Sequence, residues 1–136
     1  MPSSIPQAPR ATETVLVVED DDDVRRLVKD ELQHYGYTVL EAANGGQALL
    51  FCERYSGPIH VLVTDVVMPH MDGYDVADRL RDVRPGMRTL FISGYAERLA
   101  GQRRPGRPGD AFLAKPFTPD ALASRVREVL SCSAAA

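Results

Sequence analysis

The chain has 136 residues, of which 44% are hydrophobic and 26% are charged, a composition typical of one soluble globular domain with its own core. Its formal net charge of −3 gives no indication of a nucleic-acid-binding protein. No apolar run approaches the roughly 20 residues that a membrane span requires, and the N-terminus lacks the basic start and apolar stretch of a signal peptide, so the sequence predicts a cytoplasmic protein.

The two cysteines, Cys52 and Cys132, lie far apart and show neither disulfide nor metal-ligand spacing. Each falls in a helix-like stretch, which favours free, buried or half-buried thiols in a reducing compartment. Residues 1–12 contain three prolines and little hydrophobicity, a pattern typical of a disordered lead or linker. We therefore predict a folded domain over 13–132, followed by a short tail over 133–136.

The folded region begins with a strand and a helix. Val15 to Val18 form a short, β-branched apolar run, typical of a strand that is buried on both faces. The stretch 21–35 is periodic, and Gly36 stands where a glycine commonly ends a helix. The predicted core-facing residues of this helix are Val24, Leu27, Val28, Leu32 and Tyr35.

The middle of the chain continues the alternation. A second strand over 37–40 precedes a helix that begins after Asn44, its predicted N-cap. A third strand over 59–64 leads into a loop over 65–73. The following helix ends before the next Pro-Gly pair, and its core-facing positions are Val76, Ala77 and Leu80.

The last third contains a fourth strand over 89–92 and a fifth over 111–114. Prolines and glycines between them allow a helix over 96–103 at most, so we expect this fourth helix to be short or irregular. Thr118 can cap the last helix, whose core-facing residues are Leu122, Val126, Val129 and Leu130. Strands that alternate with helices in this way imply a parallel sheet covered on both faces, with right-handed crossovers.

Polar side chains follow four of the five predicted strands. Glu19 and Asp20 follow the first, Asp65 the third, Ser93 the fourth and Lys115 the fifth. Functional groups collect beyond the carboxyl ends of the strands in an open parallel sheet, so we expect these side chains to meet. Carboxylates about 4 Å apart repel by roughly 4 kcal/mol at an effective dielectric of 20, and a divalent cation such as Mg²⁺ would offset that repulsion.

The same residue types suit phosphoryl transfer, which requires mainly positioning and neutralisation of charge. Asp65 would be the oxygen nucleophile, Ser93 would supply a hydrogen-bond donor, and Lys115 with the metal would supply positive charge. Taken singly, each residue has a simpler interpretation as a turn or surface residue, and Asp21–Asp23 fit a solvated helix start favoured by the helix dipole. The agreement of four strand ends favours the functional interpretation.

Residues 14–132 resemble the receiver domain of two-component response regulators. The resemblance implies a flavodoxin-like, doubly wound α/β fold with a five-stranded parallel sheet in the order 2-1-3-4-5 and five helices. The Ser93-Gly94-Tyr95 stretch and the Pro/Gly-rich segment after it most resemble the C-terminal receivers of hybrid sensor histidine kinases. The matching stretches are Val15–Asp20, Thr64–Pro69 continuing to Met71–Gly73, Ile92–Tyr95 and Lys115–Phe117.

The resemblance also implies a role for each matched residue. Asp65 is the expected phosphoacceptor, while Ser93 and Lys115 are expected to hold the phosphoryl oxygens. Pro116 is expected to follow a cis peptide bond, and the expected switch residues are Ser93 and Phe112. The expected ligands of Mg²⁺ (or Mn²⁺) are Glu19, Asp20, Asp65 and the backbone carbonyl of Val67.

Three residues depart from the common pattern of the family. Glu19 stands where aspartate is common, which keeps the charge but changes the metal geometry slightly. Ser93 replaces the more frequent threonine and retains the hydroxyl. Phe112 takes the place of a switch aromatic that is often tyrosine, so an output that requires that hydroxyl is in doubt.

The resemblance predicts a phosphoacceptor that is not a turnover enzyme and that receives its phosphoryl group from a histidine kinase or a histidine phosphotransfer domain. We expect a monomer or weak dimer without direct contact to nucleic acid or membrane.

Other classes of protein fit the sequence less well. A dehalogenase-like phosphatase would need a second acid where this chain has Val67, and a nucleotide-binding module would need glycines where this chain has acids after the first strand. A degenerate receiver that only binds proteins stays open, as does a docking role for the basic stretch Arg98–Arg107, otherwise a solvated loop.

Overall fold

A computed structural model describes residues 12–94 and 110–131. The predicted helix over 96–103, the basic stretch Arg98–Arg107, Cys132 and nearly all of the predicted lead and tail lie outside the described residues. The described residues form the strands β1 (Thr14–Val18), β2 (Thr38–Ala42), β3 (Val61–Asp65), β4 (Arg88–Ser93) and β5 (Ala111–Ala114), and the helices α1 (Asp22–His34), α2 (Gly45–Arg54), α3 (Gly73–Val83) and α4 (Pro119–Ser131).

All five strands pair in parallel, in the order β2-β1-β3-β4-β5. This arrangement confirms the doubly wound sheet and its predicted strand order. The order reverses between β1 and β3, so the carboxyl ends of these two strands flank the position where such sheets place their functional groups. None of the helices in the described part of the chain is long and apolar enough to cross a membrane.

Two hydrophobic clusters cover the two faces of the sheet. Leu16 and Val18 of β1 join residues of α2 and α3 in one cluster. Val15 and Val17 join residues of α1 and α4 in the other. Every residue of β1 is therefore buried, which explains why this strand is an unbroken apolar run rather than an alternating one. Cys52 of α2 is a buried free thiol, as predicted.

The predicted core face of α1 is partly wrong. Val28 and Leu32 are buried, but Leu27 is 52% exposed and Tyr35 is 40% exposed. Leu27 lies about 100° around the helix from Val28, and Tyr35 is the C-cap rather than a helical residue. Arg25, which is half-buried, lies on the opposite side of the buried residues Val28 and Leu32 from Leu27.

The predicted helix ends are confirmed by their capping bonds. The side chain of Asn44 accepts a hydrogen bond from the Gln47 N–H at 2.9 Å, and Thr118 Oγ1 accepts one from the Ala121 N–H at 3.1 Å. Gly36 adopts a φ of 98° after α1, a left-handed conformation that glycine adopts without steric cost. Local sequence signals therefore located these three helix boundaries correctly.

The strand limits differ from the prediction by one or two residues. β2 extends to Ala42, whereas β3 begins only at Val61, because the pairing of β1 with its neighbours decides where each ladder starts and stops. Asp65 and Ser93 are consequently the last paired residues of their strands rather than the first residues of loops. Backbone hydrogen bonds of the sheet therefore position both of these predicted site residues.

Candidate functional site

Asp65 stands at the centre of the carboxyl edge of the sheet. As the last residue of β3, it is paired with Ile92 of β4, and only 6% of its surface is exposed. Lys115 Nζ donates to Asp65 Oδ2 at 2.9 Å, and the Val67 N–H donates to Oδ1 at 3.3 Å. Both carboxylate oxygens of Asp65 are therefore oriented, one by an ammonium group and one by the backbone.

Two further carboxylates lie beside Asp65. One carboxylate oxygen from each of Glu19, Asp20 and Asp65 falls within 4.8 Å of the others. Glu19 is buried and Asp20 is exposed, and the Asp21 N–H donates to the Glu19 carboxylate at 3.1 Å. The sequence prediction that these acids meet with Lys115 at one edge of the sheet is realised in this geometry.

The environment of Glu19 opposes a negative charge. Burial, and after it the neighbouring charge of Asp65, raise the pKa of its carboxyl to about 8, against the opposing effects of the Asp21 N–H and Lys115. A positive charge bound beside Glu19 would stabilise the charged form of this carboxyl. The three neighbouring carboxylates offer the oxygen donors that a hard divalent cation binds.

The ends of β4 and β5 bring Ser93 and Lys115 to the same edge. Ser93 is buried and is paired with Ala114. The Lys115 N–H donates to the Ser93 carbonyl at 2.8 Å, and the Lys115–Pro116 peptide bond is cis. The backbone of Lys115 is thus tied to β4, while its side chain reaches across to Asp65 at the end of β3.

Phe112 lies inside β5, as predicted from the strand over 111–114. It is paired with Phe91 of β4. Its ring stacks on that of Phe91, with the ring centroids 5.2 Å apart. The ring centroids of Phe91 and Tyr74 of α3 are 4.8 Å apart. Phe112 is half-buried at the outer end of this aromatic row.

The loop between β3 and α3 depends on a glycine. A Cβ atom at Gly73 would lie 2.2 Å from the backbone oxygen of Asp65, far inside van der Waals contact. The Gly73 N–H donates to the Val66 carbonyl at 2.8 Å, which holds the two backbone segments at this short distance. Gly73 was part of a matched stretch in the sequence, but only the fold shows what it contacts.

Sequence reasoning missed one cation near the acidic cluster. Arg25 Nη1 donates to the backbone carbonyl of Glu19 at 2.8 Å, and its Nε donates to Glu41 of β2 at 3.3 Å. The only sequence signal was an arginine in the second turn of a helix that follows an acidic run. Its partner Glu41 lies on β2, 16 residues further along the chain, so no local pattern linked the two residues.

The sequence model of the response regulator receiver domain matches residues 15–127. The chain belongs to this family. The receiver is similar to the sensor kinase CckA of Brucella abortus (strain 2308), with 44% identity over 117 residues that cover 86% of this chain but 12% of the kinase. It is also similar to the response regulator receiver protein CpdR of the same organism, with 35% identity over 85% of this chain and 95% of CpdR.

A solved structure shares the fold of this receiver. The crystal structure of the receiver domain from the hybrid histidine kinase CckA has a TM-score of 0.73 and 36% identity, and the match covers 86% of this chain and 98% of that one. The predicted likeness to the receivers of hybrid sensor kinases is thereby confirmed. The receiver spans only about an eighth of the sensor kinase that it matches, and nearly all of CpdR.

Proposed function

We propose that this receiver domain accepts a phosphoryl group on Asp65 from a phosphohistidine donor, in a reaction that depends on Mg²⁺ or Mn²⁺. The observation that carries the proposal is the convergence on Asp65. A buried carboxylate at a strand end has Lys115 Nζ at 2.9 Å from one oxygen and two further acids within metal-sharing distance. This combination of nucleophile, cation and metal ligands is what phosphoryl transfer to a carboxylate requires.

The transfer step uses groups of this chain in defined roles. A carboxylate oxygen of Asp65 forms a bond to phosphorus while the phosphorus–nitrogen bond of the donor breaks, and the electron pair of that bond leaves with the imidazole nitrogen. Lys115 places its ammonium group against the negative charge of the transferring oxygens, and Ser93 supplies a hydroxyl donor to one of them. Ser93 is the last residue of β4 and Lys115 directly follows β5, so the sheet sets both positions and little reorganisation is needed.

The metal site follows from the same cluster. Glu19, Asp20, Asp65 and the backbone carbonyl of Val67 would hold the ion, with Asp20 contributing directly and Glu19 through water. A bound Mg²⁺ would supply positive charge that offsets the repulsion among the acids and the phosphoryl oxygens. The raised pKa of the Glu19 carboxyl, caused first by burial, supports the need for such a charge.

Phosphorylation would change the surface of the domain through Ser93 and Phe112. Ser93 would turn toward the phosphoryl group, and the space that it leaves would let Phe112 move inward along the aromatic row with Phe91. The half-buried position of Phe112 and its stacking at 5.2 Å support this route. A ligand that moves a two-state equilibrium from mostly off to mostly on must favour one packing by about 5 kcal/mol.

The partner that fits this chemistry is a histidine kinase or a histidine phosphotransfer domain in the cytoplasm. We propose that the domain assists its own phosphorylation and dephosphorylation without turning over a substrate, and that it acts as a monomer or weak dimer. A receiver without phosphorylation, which only binds proteins, is the alternative that the following experiment separates.

The test is incubation of the full chain with acetyl phosphate and Mg²⁺, followed by intact mass spectrometry. We expect one phosphoryl group on the wild type and none on Asp65→Asn, which keeps the size of the side chain but removes the nucleophile. Asp72→Asn is a matched control, because Asp72 is an acid at the same edge that caps α3. An unmodified wild type, or equal modification of Asp65→Asn, would exclude the proposal.

The switch has its own test. Backbone amide chemical shifts are compared with and without beryllofluoride and Mg²⁺ in the wild type and in Phe112→Ala. We expect the variant to lose most of the ligand-induced shifts around β5 while keeping those next to Asp65. If the shifts over 95–115 were the same in both proteins, Phe112 would not be part of the switch.

A further inference from the structure

The backbone of Glu19 is held from two sides. The Glu19 N–H donates to the carbonyl of Ala42 at the end of β2, at 3.1 Å. On the other side, Arg25 Nη1 donates to the Glu19 carbonyl at 2.8 Å. Because this carbonyl and the Asp20 nitrogen share one planar unit, the direction of the carbonyl sets how the backbone enters Asp20.

The guanidinium group of Arg25 is itself fixed in place. Its Nε donates to Glu41 Oε1 at 3.3 Å, and its Nη2 donates to Asp22 Oδ1 at 2.6 Å. Asp22 is 75% exposed, so its ion pair contributes little. Glu41 is the more important anchor, because Lys29 Nζ also binds its second oxygen at 2.9 Å. Only 16% of the Arg25 side chain is exposed, so the fork of donors is held against the loop.

Two roles are conceivable for this arginine, and they have opposite consequences for metal binding. As a plain positive charge, Arg25 repels a cation at the acidic cluster, so its removal would strengthen metal binding. As a fixed donor to the Glu19 carbonyl, it orients two neighbouring acids, so its removal would weaken metal binding. The contact with a backbone carbonyl, rather than with a carboxylate of the cluster, favours orientation.

We propose that Arg25 is a positioning residue for the metal ligands Glu19 and Asp20, acting through the peptide group that joins them. This inference rests on the proposed metal site. The guanidinium group links that peptide to β2 through Glu41, so the loop after β1 keeps one conformation without the metal. Preorganisation of this kind improves affinity because less order must be created on binding.

The test is the Mg²⁺ dissociation constant of the full chain, measured by calorimetry on metal-free protein. We expect Arg25→Gln to weaken binding about tenfold, as substitutions behind metal ligands commonly do. Arg26→Gln is the matched control, since it makes the same charge change at the adjacent, exposed position and should leave binding equal or slightly stronger. Arg25→Lys keeps the charge but loses the fork of donors, so it should also bind more weakly than the wild type.

Two further measurements separate positioning from general damage. In metal-free protein, the amide resonance of Asp20 should move in Arg25→Gln and stay in Arg26→Gln. Phosphorylation by acetyl phosphate should need about tenfold more Mg²⁺ for half-maximal rate in Arg25→Gln, in line with the loss of affinity, while the rate at saturating Mg²⁺ stays close to that of the wild type. Loss of the maximal rate alone would contradict a positioning role.

The outcomes distinguish this inference from the proposed function. If the wild type binds Mg²⁺ and Arg25→Gln binds it as tightly or more tightly, Arg25 acts only as a charge and the inference is overturned, while the phosphoacceptor proposal stands. If the wild type does not bind Mg²⁺, the positioning role of Arg25 and the proposed metal-dependent function are both contradicted. Should circular dichroism show that Arg25→Gln is unfolded, Glu41→Gln takes its place, with weaker binding expected for the same reason and unchanged binding overturning the inference.

Discussion

The two edges of the sheet use charged groups in opposite ways. Among the described residues of the carboxyl edge, three carboxylates lie close together and Lys115 binds one of them. At the amino edge, two arginines, Arg84 and Arg88, donate to backbone carbonyls at or just after the C-terminal ends of helices. The comparison indicates that the arginines of the amino edge stabilise the fold, whereas the acids of the carboxyl edge repel one another unless a cation lies between them.

Arg84 closes the amino edge at the end of α3. Its guanidinium group donates to the carbonyls of Cys52 at 3.1 Å and Gly57 at 2.7 Å, and also to that of Tyr55. These carbonyls lie at the end of α2 and in the loop after it, where the helix dipole favours a positive charge. One side chain thus ties α3 to the connection between α2 and β3.

Arg88 does the same for α4 at the start of β4. Its Nη1 donates to the carbonyls of Val129 at 2.9 Å and Leu130 at 3.2 Å, close to the C-terminal end of that helix. Each arginine therefore satisfies several acceptors with one cation. The described part of the carboxyl edge differs, since three carboxylates lie close together there and compete for positive charge.

The largest expected effect comes from the amino edge. Arg84→Met should lower the free energy of unfolding by about 3 kcal/mol, because three carbonyls lose a charged donor at once. Urea denaturation measures this change, and Arg79→Met on the exposed side of the same helix is the control, expected within about 0.5 kcal/mol of the wild type. An unchanged urea midpoint for Arg84→Met would show that the hydrogen bonds of Arg84 do not stabilise the fold.

Magnesium should produce the next largest effect, at the opposite edge. At a concentration one hundred times its dissociation constant, Mg²⁺ should stabilise the native state by about 2.7 kcal/mol, through binding to the folded protein only. Asp20→Asn should lose most of this increment, whereas Arg84→Met should keep it, since separate sites contribute independently. Thermal melts with and without Mg²⁺ measure it, and an equal gain in Asp20→Asn would contradict the metal site.

The smallest expected effect is a pH dependence of the metal-free protein. The pKa of Glu19 rises to about 8 in the folded state, mainly through burial, from an ordinary value of 4.5. Between these values the folded state binds a proton that the unfolded state has released. The contribution is therefore complete below pH 4.5 and is lost as the pH rises through about 8.

We expect the free energy of unfolding to fall by about 1–2 kcal/mol across this window, less than full linkage gives because water relaxes around the buried charge. Urea denaturation at several pH values in the presence of a chelator measures the slope. Glu19→Gln should flatten it, while Glu53→Gln, an exposed control on α2, should not. Equal slopes in the wild type and Glu19→Gln would show that the folded state does not raise the pKa of Glu19.

Much of the fold and the candidate site was predictable because local signals carry it. The apolar run at Val15–Val18 and the caps at Asn44 and Thr118 mark elements without reference to distant residues. Parallel strands place their carboxyl ends at one edge, so Asp65 and Lys115 could be expected to meet although they are 50 positions apart. The candidate site residues lie at strand ends, and the local pattern indicates those ends to within one or two residues.

Other features required the fold itself. The burial of α1 was misread at Leu27, because the half-buried side of the helix holds Arg25 and Lys29, whose partner Glu41 lies on β2. No periodicity links these residues, since their pairing depends on how the helix sits against a neighbouring strand. The need for glycine at position 73 is of the same kind, because the contact is with backbone at the end of β3.

By itself, the sequence determined the order of elements, the sheet type and the residues that gather at its carboxyl edge, because hydrophobic period and capping chemistry act over a few neighbouring residues. The tertiary structure alone decided which side chains hold that edge in shape and which close the opposite one. Arg25, Arg84 and Arg88 have no distinguishing local context, and their acceptors lie on other elements. Their roles arise from packing distances, which only the folded chain defines.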